Sequence, residues 1–596
     1  MNSSKINENK NEEKFNLNDL KVTVEKYPLA KSKNMFESFL IIGYDDIYIT
    51  EKILKTALST LEITKNQMNI IEDQTKYEMT NLINFYCRDL PTILNTITSD
   101  FSGEILDQKK IIENVFPVPP KIFFSYEYFD LKPKKMNDFV VFSNIQNGVV
   151  NYCYGHIFYE TKIIEDYKLY IPKAFVIISQ YPFFSIFNRL CNEIKELFDS
   201  QNLEIPIEIQ IYNIINFVPA PVDTGLKLTF IPKQELKIIN YLKDQDNFFF
   251  SDSQEKYFIS QLTGYRASEI NFGYLINTIS IELILMIYLN LICGRKIAFF
   301  YKDIDHLSII LHLFHQMLNP FSPHENVTCL SPIKFFCNDI VDQNIVGFLC
   351  NYDDLEKFDP FRQIKEGEFR CLTNEEENKL LAPFYFRCDY IFDLKNKIFK
   401  EPDKYISIKN EKYFNENKKL NDFIIKLFER KFFSFSEDIP SDSSDFKKIV
   451  KDLYSNLEAI INKLSVSKRF QKKPNNSIDL VLSPFVQEYN FQQNHIILEL
   501  FYQFSLNFTY IYYKYFSSYN GNFNLSKEQQ INLKPKPQNE TGLKDEEYLF
   551  FIGFHNSIFG YCLDNLIGGY SSLEPIINKG SKLIFENLLY YLKIKK

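Results

Sequence analysis

The sequence predicts a multidomain protein of mixed α/β and α+β class. An antiparallel-sheet α+β module comes first, then an α/β module with parallel strands, then an all-α C-terminal region. Three observations carry this reading. Residues 138–160, DFVVFSNIQNGVVNYCYGHIFYE, hold two apolar β-type runs joined at Asn147-Gly148, a hairpin signal because both residues tolerate positive φ. Residues 276–318 instead run apolar helix, glycine, short β-type run and helix, the rhythm of parallel βα units. After about residue 405 the apolar residues fall at helical spacing. A chain of 596 residues exceeds a single core, so about two to four domains are expected.

The elements follow in order. Residues 1–34 are polar and charged, lack the apolar stretch of a signal peptide, and are expected as a disordered tail. The first module is assigned to 35–230. MFESFLIIGYDD (35–46) reads as a buried strand closed by a turn at Gly43, and 52–97 as helical or irregular. Prolines make VFPVPPKIFFSYE (115–127) extended. The hairpin strands are expected over 139–142 and 149–159, and a further strand over 174–178. That strand runs through Tyr181-Pro182-Phe183-Phe184 into a helix with Ile186, Leu190, Ile194, Leu197 and Phe198 at helical spacing. Pro182 suits the first turn of a helix, and the two phenylalanines would anchor it on the sheet. Another helix ends before VPAPVDTG, and the strand Leu226–Phe230 leaves that link.

The second module is assigned to 231–400: a helix stopped at Gly294, a strand over 296–300, a helix, a proline-marked loop NPFSPHENVTCLSP, and a strand in IVGFLCNYDD. The third, 405–596, contains the helical patterns LNDFIIKLFERKF, FKKIVKDLYSNLEAIINKL, NHIILELFYQFSLNFTYIYYKYF and EEYLFFIGFHNSIFGYCLDNLI. Polar stretches at 465–477 and 526–547 read as mobile linkers.

Composition excludes some functions. A net charge of −8 and an isoelectric point near 5.7 provide no global field for nucleic acid. Ten cysteines between Cys87 and Cys562, with no CxxC pair, read as the reduced thiols of an intracellular protein. The stretch 272–293 is long enough to span a bilayer, but Asn277, Glu282 and Asn290 are costly in lipid, so it reads as a buried helix and no transmembrane segment is expected.

No chemical motif emerges. The chain lacks GxxxxGK[ST], GxGxxG, GxSxG and HExxH, so it is not expected to hold nucleotide or any other cofactor, and no catalytic residue is assigned. Ser179 has no glycine flanks and reads as structural. His306, His312, His315, His324 and Cys329 lie close in sequence but match no zinc signature, so the helical histidines read as the polar edge of an amphipathic helix. Asp45-Asp46 and Asp353-Asp354 follow apolar strands and read as turn residues rather than acid pairs. The run Lys468–Lys473 reads as a solvated linker before a lipid contact. Tyr288, Leu291 and Ile292 beside Phe299 and Phe300 read as core.

Several strings together resemble the tripartite DENN family. PKAFVIISQYPFFSIF is similar to its strand-to-helix segment, FESFLIIG to its opening strand, and VFPVPPKIFF to its phenylalanine–proline strand start. NGVVNYCYGHIFYE and IPIEIQIYNIINFVPAPVDTG resemble its next strand and its helix-plus-proline link. ELILMIYLNLICGRKIAFFYKDIDHLSII, NPFSPHENVTCLSP and IVGFLCNYD resemble its core segments, and EYLFFIGFHNSIFGYC its downstream part. Gly294-Arg295-Lys296 replaces the usual Glu-Arg-Arg string, and the loop carries Ser322 in place of the usual tryptophan.

The resemblance implies a longin-like upstream module (35–230), an α/β core module (231–400) and a helical downstream module. It implies a guanine-nucleotide exchange factor for a Rab-family small GTPase in vesicle traffic, cytoplasmic or peripheral on vesicle or endosomal membranes. Exchange of this kind needs no bond-making residue. The alternatives are a non-catalytic scaffold or effector, and a GTPase-activating protein, for which Arg266 in LTGYRASE is the arginine to inspect. Partner-contacting residues are not identifiable from these motifs.

Overall fold

The computed structural model describes residues 34–68, 82–87, 89–98, 107–127, 131–146, 149–179, 183–199, 206–217, 226–230, 234–238, 270–318, 327–336, 343–358, 388–401, 445–470 and 536–555, with scattered residues from 424 to 557. The N-terminal tail and most of the proline-marked loop lie outside these residues.

The first sheet has seven antiparallel strands. They are β1 (Ser38–Gly43), β2 (Ile83–Tyr86), β3 (Thr92–Thr98), β4 (Lys121–Tyr126), β5 (Asn137–Gln146), β6 (Val149–Ile164) and β7 (Tyr167–Ser179). β2 and β3 fall inside 52–97, expected as helical or irregular. Their apolar signal is weak because only Ile97 of the two strands is buried. β7 is central: β6 pairs with its whole length, while its other side pairs with β4 over Tyr167 to Tyr170 and with β1 over Ala174 to Ile178. Pro172, which has no N–H to donate, falls in the gap between those partners. β7 therefore starts seven residues before the expected strand, whose apolar run is broken by Pro172 and Lys173.

Helices cover one face of this sheet along its length. After β1 a turn, Asp46–Tyr48, and a π-turn, Ile49–Ile53, lead into α1 (Leu54–Met68). Ile49, Ile53, Leu54 and Ala57 pack on Phe124, Leu169 and Ile171. α2 (Gln108–Val115), capped by Asp107, places Val115 against Gly155 on the other face. α3 (Phe184–Asp199) follows β7, and Phe183 and Phe184 are both buried at its start, as the aromatic pair predicts. α4 (Ile207–Phe217) lies against β3, and a separate hairpin pairs β8 (Leu226–Phe230) with β9 (Gln234–Ile238).

The second sheet is parallel except at one edge. The apolar stretch 272–293 is not one helix. It breaks at Ser280, whose hydroxyl caps the next helix, giving α5 (Phe272–Thr278) and α6 (Ile281–Ile292). Among the described residues no helix is long and apolar enough to cross a membrane. After α6 come β10 (Ile297–Phe300), α7 (Ile304–Met317), β11 (Cys329–Leu330), β12 (Ile345–Phe348), β13 (Tyr390–Asp393) and β14 (Ile398–Lys400), in the order β11-β12-β10-β13-β14. Ile297, Phe299 and Phe392 join the large core on one side, with α6 and α7. Ala298, Phe300, Val346 and Phe348 pack with Phe335 and Leu355 on the other. Tyr288, Leu291 and Ile292 are buried, as expected.

The third region packs on α6. α8 (Asp445–Phe470) donates from the Tyr454 hydroxyl to Glu282 at 2.9 Å. It runs to Phe470, past the expected linker start at 465. α9 (Gln538–Thr541) and α10 (Asp545–His555) also begin inside the expected linker 526–547, with Thr541 and Glu547 buried. Polar composition hides this helix–turn–helix, whose turn is made by Gly542 at φ +68°. Phe446, Phe508, Phe550, Phe551 and Phe554 pack ring to ring, 4.7–6.1 Å between centroids. Gly294, at φ +70°, ends α6, and a Cβ there would sit 2.6 Å from that of Ser557. Only glycine meets both demands.

Candidate functional site: a tyrosine-rich strip across the two sheets

The two sheets meet where β5 would otherwise present an open edge. α7 covers that edge. The Val141 N–H donates to Ser308 Oγ at 3.2 Å. Ser143 N–H donates to the Val327 carbonyl at 3.1 Å, and Val327 N–H donates to Ser143 Oγ at 3.0 Å. The Phe184 ring meets His312 of α7 edge to face, 5.4 Å between centroids.

Beside this junction, the face of β2, β4, β7 and β6 turned away from α1 carries a strip of side chains. Strand register builds it. Tyr86 stands opposite Lys121, Phe123 opposite Tyr170, Tyr170 opposite Thr161, and Lys168 between Ser125 and Ile163. Residues directly opposite share a face. Tyr86 is 65% exposed and Ile163 56%. Lys121 Nζ lies 5.5 Å from the Tyr86 ring centre and 5.7 Å from that of Phe123, and Phe123 meets Tyr159 at 5.4 Å. The segment 131–136 lies alongside, since Leu131 O accepts from the Tyr170 hydroxyl and Met136 O from Tyr159 N–H.

Tyr159 links this face to a charged cluster at the start of α7. Lys135 bridges Asp138 of β5 and Asp305 of α7, the latter at 3.0 Å. His306 Nδ1 lies 2.9 Å from Asp305 Oδ1, and Tyr274 and Tyr301 flank its ring at 5.6 and 5.8 Å. Burial pushes the Asp138 carboxyl up to about 6, against the pull of Lys135. Burial acts on Asp305 in the same sense, but the bond to His306 and the charge of Lys135 outweigh it and hold that carboxyl at about 2. The bond to Asp305 raises His306, while burial raises Tyr159 to about 12. Asp303, at the N-cap of α7, accepts no capping hydrogen bond. The strip offers half-exposed aromatic rings between fixed charges, the composition of a protein-binding surface.

The residues singled out by sequence lie elsewhere, apart from His306. Ser179 is buried and donates to the Met35 carbonyl at 2.9 Å. His312 is not at a polar helix edge: it is buried against Phe184, because the apolar surface of α7 is wide enough to enclose it. His315 is half-buried, Cys329 is buried, and His324 lies outside the described residues. Among the described residues no three histidine, cysteine or acidic side chains gather as metal ligands. Asp45 caps the turn after β1, accepting from Tyr48 N–H at 2.7 Å, and Asp46 pairs with Lys162. Asp353 and Asp354 begin the 3₁₀ turn Tyr352–Phe358. Of Lys468–Lys473 only the first residues are described, as helix, and Arg266 lies outside. Sequence reading missed the strip, although KIFFSY alternates half-exposed Lys121 and Phe123 with buried Ile122 and Phe124.

Residues 170–325 match the family model described as the DENN (AEX-3) domain. The match takes in Tyr274, Tyr301, Asp303, Asp305 and His306, while Tyr86, Lys121, Phe123, Lys135, Asp138 and Tyr159 lie upstream of it. No curated protein matches the chain. The segment from β7 through α7 thus matches a DENN domain, which is consistent with a protein of the DENN-domain family.

Proposed function

We propose that this protein is a guanine-nucleotide exchange factor for a Rab-family small GTPase, and that the strip across the two sheets receives the GTPase. DENN domains are generally associated with that activity. The observation that carries the assignment to this surface is the continuity of half-exposed aromatics from Tyr86 through Phe123 and Tyr159 to the cluster around His306. In this reading the upstream module, 35–230, and the core module, 231–400, each contribute one end of the surface, and the helical region, 405–596, supports the core module from behind.

Exchange is differential binding. A factor that prefers the nucleotide-free GTPase a hundredfold gains about 2.7 kcal/mol, and that difference lowers the barrier to GDP loss. A few buried aromatic contacts supply it, with switch segments held away from Mg²⁺ and phosphate. The protein would act in the cytoplasm, at vesicle or endosomal surfaces where such GTPases work.

The test is release of a fluorescent GDP analogue from a panel of purified Rab GTPases, with the full chain at micromolar concentration. Release at least tenfold faster for one GTPase is expected. Binding without faster release would turn the assignment to an effector or scaffold, and faster hydrolysis would turn it to a GTPase-activating protein.

A further inference from the structure

His306 stands in the first turn of α7, and one carboxylate fixes it. Asp305 Oδ1 accepts from the His306 backbone N–H at 2.8 Å and lies 2.9 Å from the ring Nδ1. The Asp305 carboxyl is held at about 2, so at neutral pH it is ionised and can only accept; Nδ1 therefore carries the proton of that bond. Its other oxygen takes Lys135 Nζ at 3.0 Å. Tyr274 of α5 and Tyr301, just after β10, pack against the imidazole. The bond made by one ring nitrogen sets the orientation and tautomer of the other. Asp305 is only 9% exposed, whereas the His306 side chain is 42% exposed. Among the described residues nothing hydrogen-bonds to His306 Nε2, and that nitrogen reaches solvent. Both ring nitrogens of His156, and Nε2 of His312, are also without a partner, but they are sealed in the core. His306 thus holds an oriented polar atom that an incoming protein can satisfy.

We propose that His306 Nε2 donates a hydrogen bond to an acceptor oxygen of the bound GTPase, and that Asp305 is the positioning residue that aims it. This deepens the exchange-factor reading and rests on it. The charges around the imidazole are mixed in sign: Asp138, Asp303 and Asp305 against Lys134, Lys135 and Lys302. What singles out His306 is its bonded partner and not a net field. The bond to Asp305 raises the imidazole above its ordinary value, against burial and the charge of Lys135, and the protonated ring makes Nε2 a donor.

The experiment uses the full chain and the GTPase of the panel whose GDP release responds best. Wild-type affinity is expected to be about tenfold higher at pH 6 than at pH 8, the scale of one hydrogen bond from a charged donor. His306→Gln should bind equally at the two pH values. Asp138→Asn removes the other group of the cluster that titrates in this window, at about 6, and should keep the pH dependence. For Asp305 the readout is the imidazole itself. With labelled histidine, NMR titration of the chain alone should give His306 a lower midpoint in Asp305→Asn than in wild type, and the midpoint of the binding profile should fall with it. Equal or lower wild-type affinity at pH 6, or an unaltered pH dependence in His306→Gln, overturns the contact while leaving exchange activity standing. An unshifted His306 midpoint in Asp305→Asn overturns the positioning role. A panel in which no GTPase binds removes both this inference and the exchange-factor reading.

Discussion

The two sheets of this molecule are built on opposite plans. In the parallel sheet, β10, β12 and β13 are buried at every residue, because structure covers both faces. In the antiparallel sheet, β4 alternates half-exposed and buried residues from Lys121 to Phe124 and β2 alternates half-exposed and exposed ones. The parallel sheet therefore has no face left for a partner, and contributes to the strip only through the segment after β10. The antiparallel sheet leaves half of one face open, and sets Tyr86, Phe123, Lys121 and Lys168 there among the smaller polar Asn84, Ser125 and Thr161. A surface meant only for water does not require Tyr86 to stand 65% exposed.

This contrast is broken or confirmed most sharply by one pair of substitutions. Phe300 is fully buried in the parallel sheet, within 5.3–5.5 Å of Phe335, Phe348 and Tyr352. Phe300→Ala should cost about 3–5 kcal/mol in unfolding free energy. Phe123→Ala, on the open face, should cost about 1 kcal/mol, yet, if the proposed exchange-factor reading holds, weaken GTPase binding more than tenfold. Urea denaturation and equilibrium binding measure the two. Equal stability losses would mean that the open face is covered in solution, and the division between a buried and a receiving sheet would have to be given up.

The same contrast explains what the sequence could reveal. IAFF and IVGF are continuous apolar runs, so the parallel strands β10 and β12 are visible directly. The long hairpin and the strand-to-helix join at Phe183-Phe184 are equally legible, since turn chemistry and aromatic burial act locally. β2 and β3 were not, because INFY and TILNTIT sit at the rims of the sheet and bury little. The strip was hidden for a related reason. Its members come from five strands, the segment 131–136 and the helices α5 and α7, and only register brings Tyr86 opposite Lys121 or Lys168 opposite Ile163. Asp138 and Asp305 are far apart in sequence, and Lys135 joins them only after β5 has docked on α7. The helix–turn–helix at α9 and α10 was missed because its polar surface residues outnumber its buried ones.

A second, smaller effect tests how the two sheets are held together. Ser308→Ala removes the acceptor for Val141 N–H at the edge of β5. A buried amide left without a partner costs about 1–3 kcal/mol. The loss should appear as faster hydrogen exchange along β5, with little change in β10, and Ser308→Thr should restore protection. Uniform loss of protection across both sheets would show that they open together, and would merge the two plans into one cooperative unit.

The smallest effect concerns protons at the join. Asp138 has a carboxyl raised from 3.8 to about 6 by burial. Its contribution to stability is therefore full below pH 3.8 and is lost as pH rises through 6. His156 on β6 and His312 on α7 behave oppositely: burial lowers them from 6.5 to about 4 and about 3, so their contribution is present above pH 6.5 and is lost as pH falls through those values. The two histidines outweigh Asp138, so these groups together should raise stability with pH from about 3 to about 6.5 and leave it level above that. Asp138→Asn removes the cost on the alkaline side alone. It should raise unfolding free energy at pH 8 by about 1 kcal/mol, after allowance for its partial exposure and for the lost pairing with Lys135, and change little at pH 4.5. Urea midpoints at the two pH values decide it. A variant less stable than wild type at pH 8 would mean that the ion pair with Lys135 outweighs burial, and that the charged cluster at the start of α7 is held together by its charges rather than merely tolerating them.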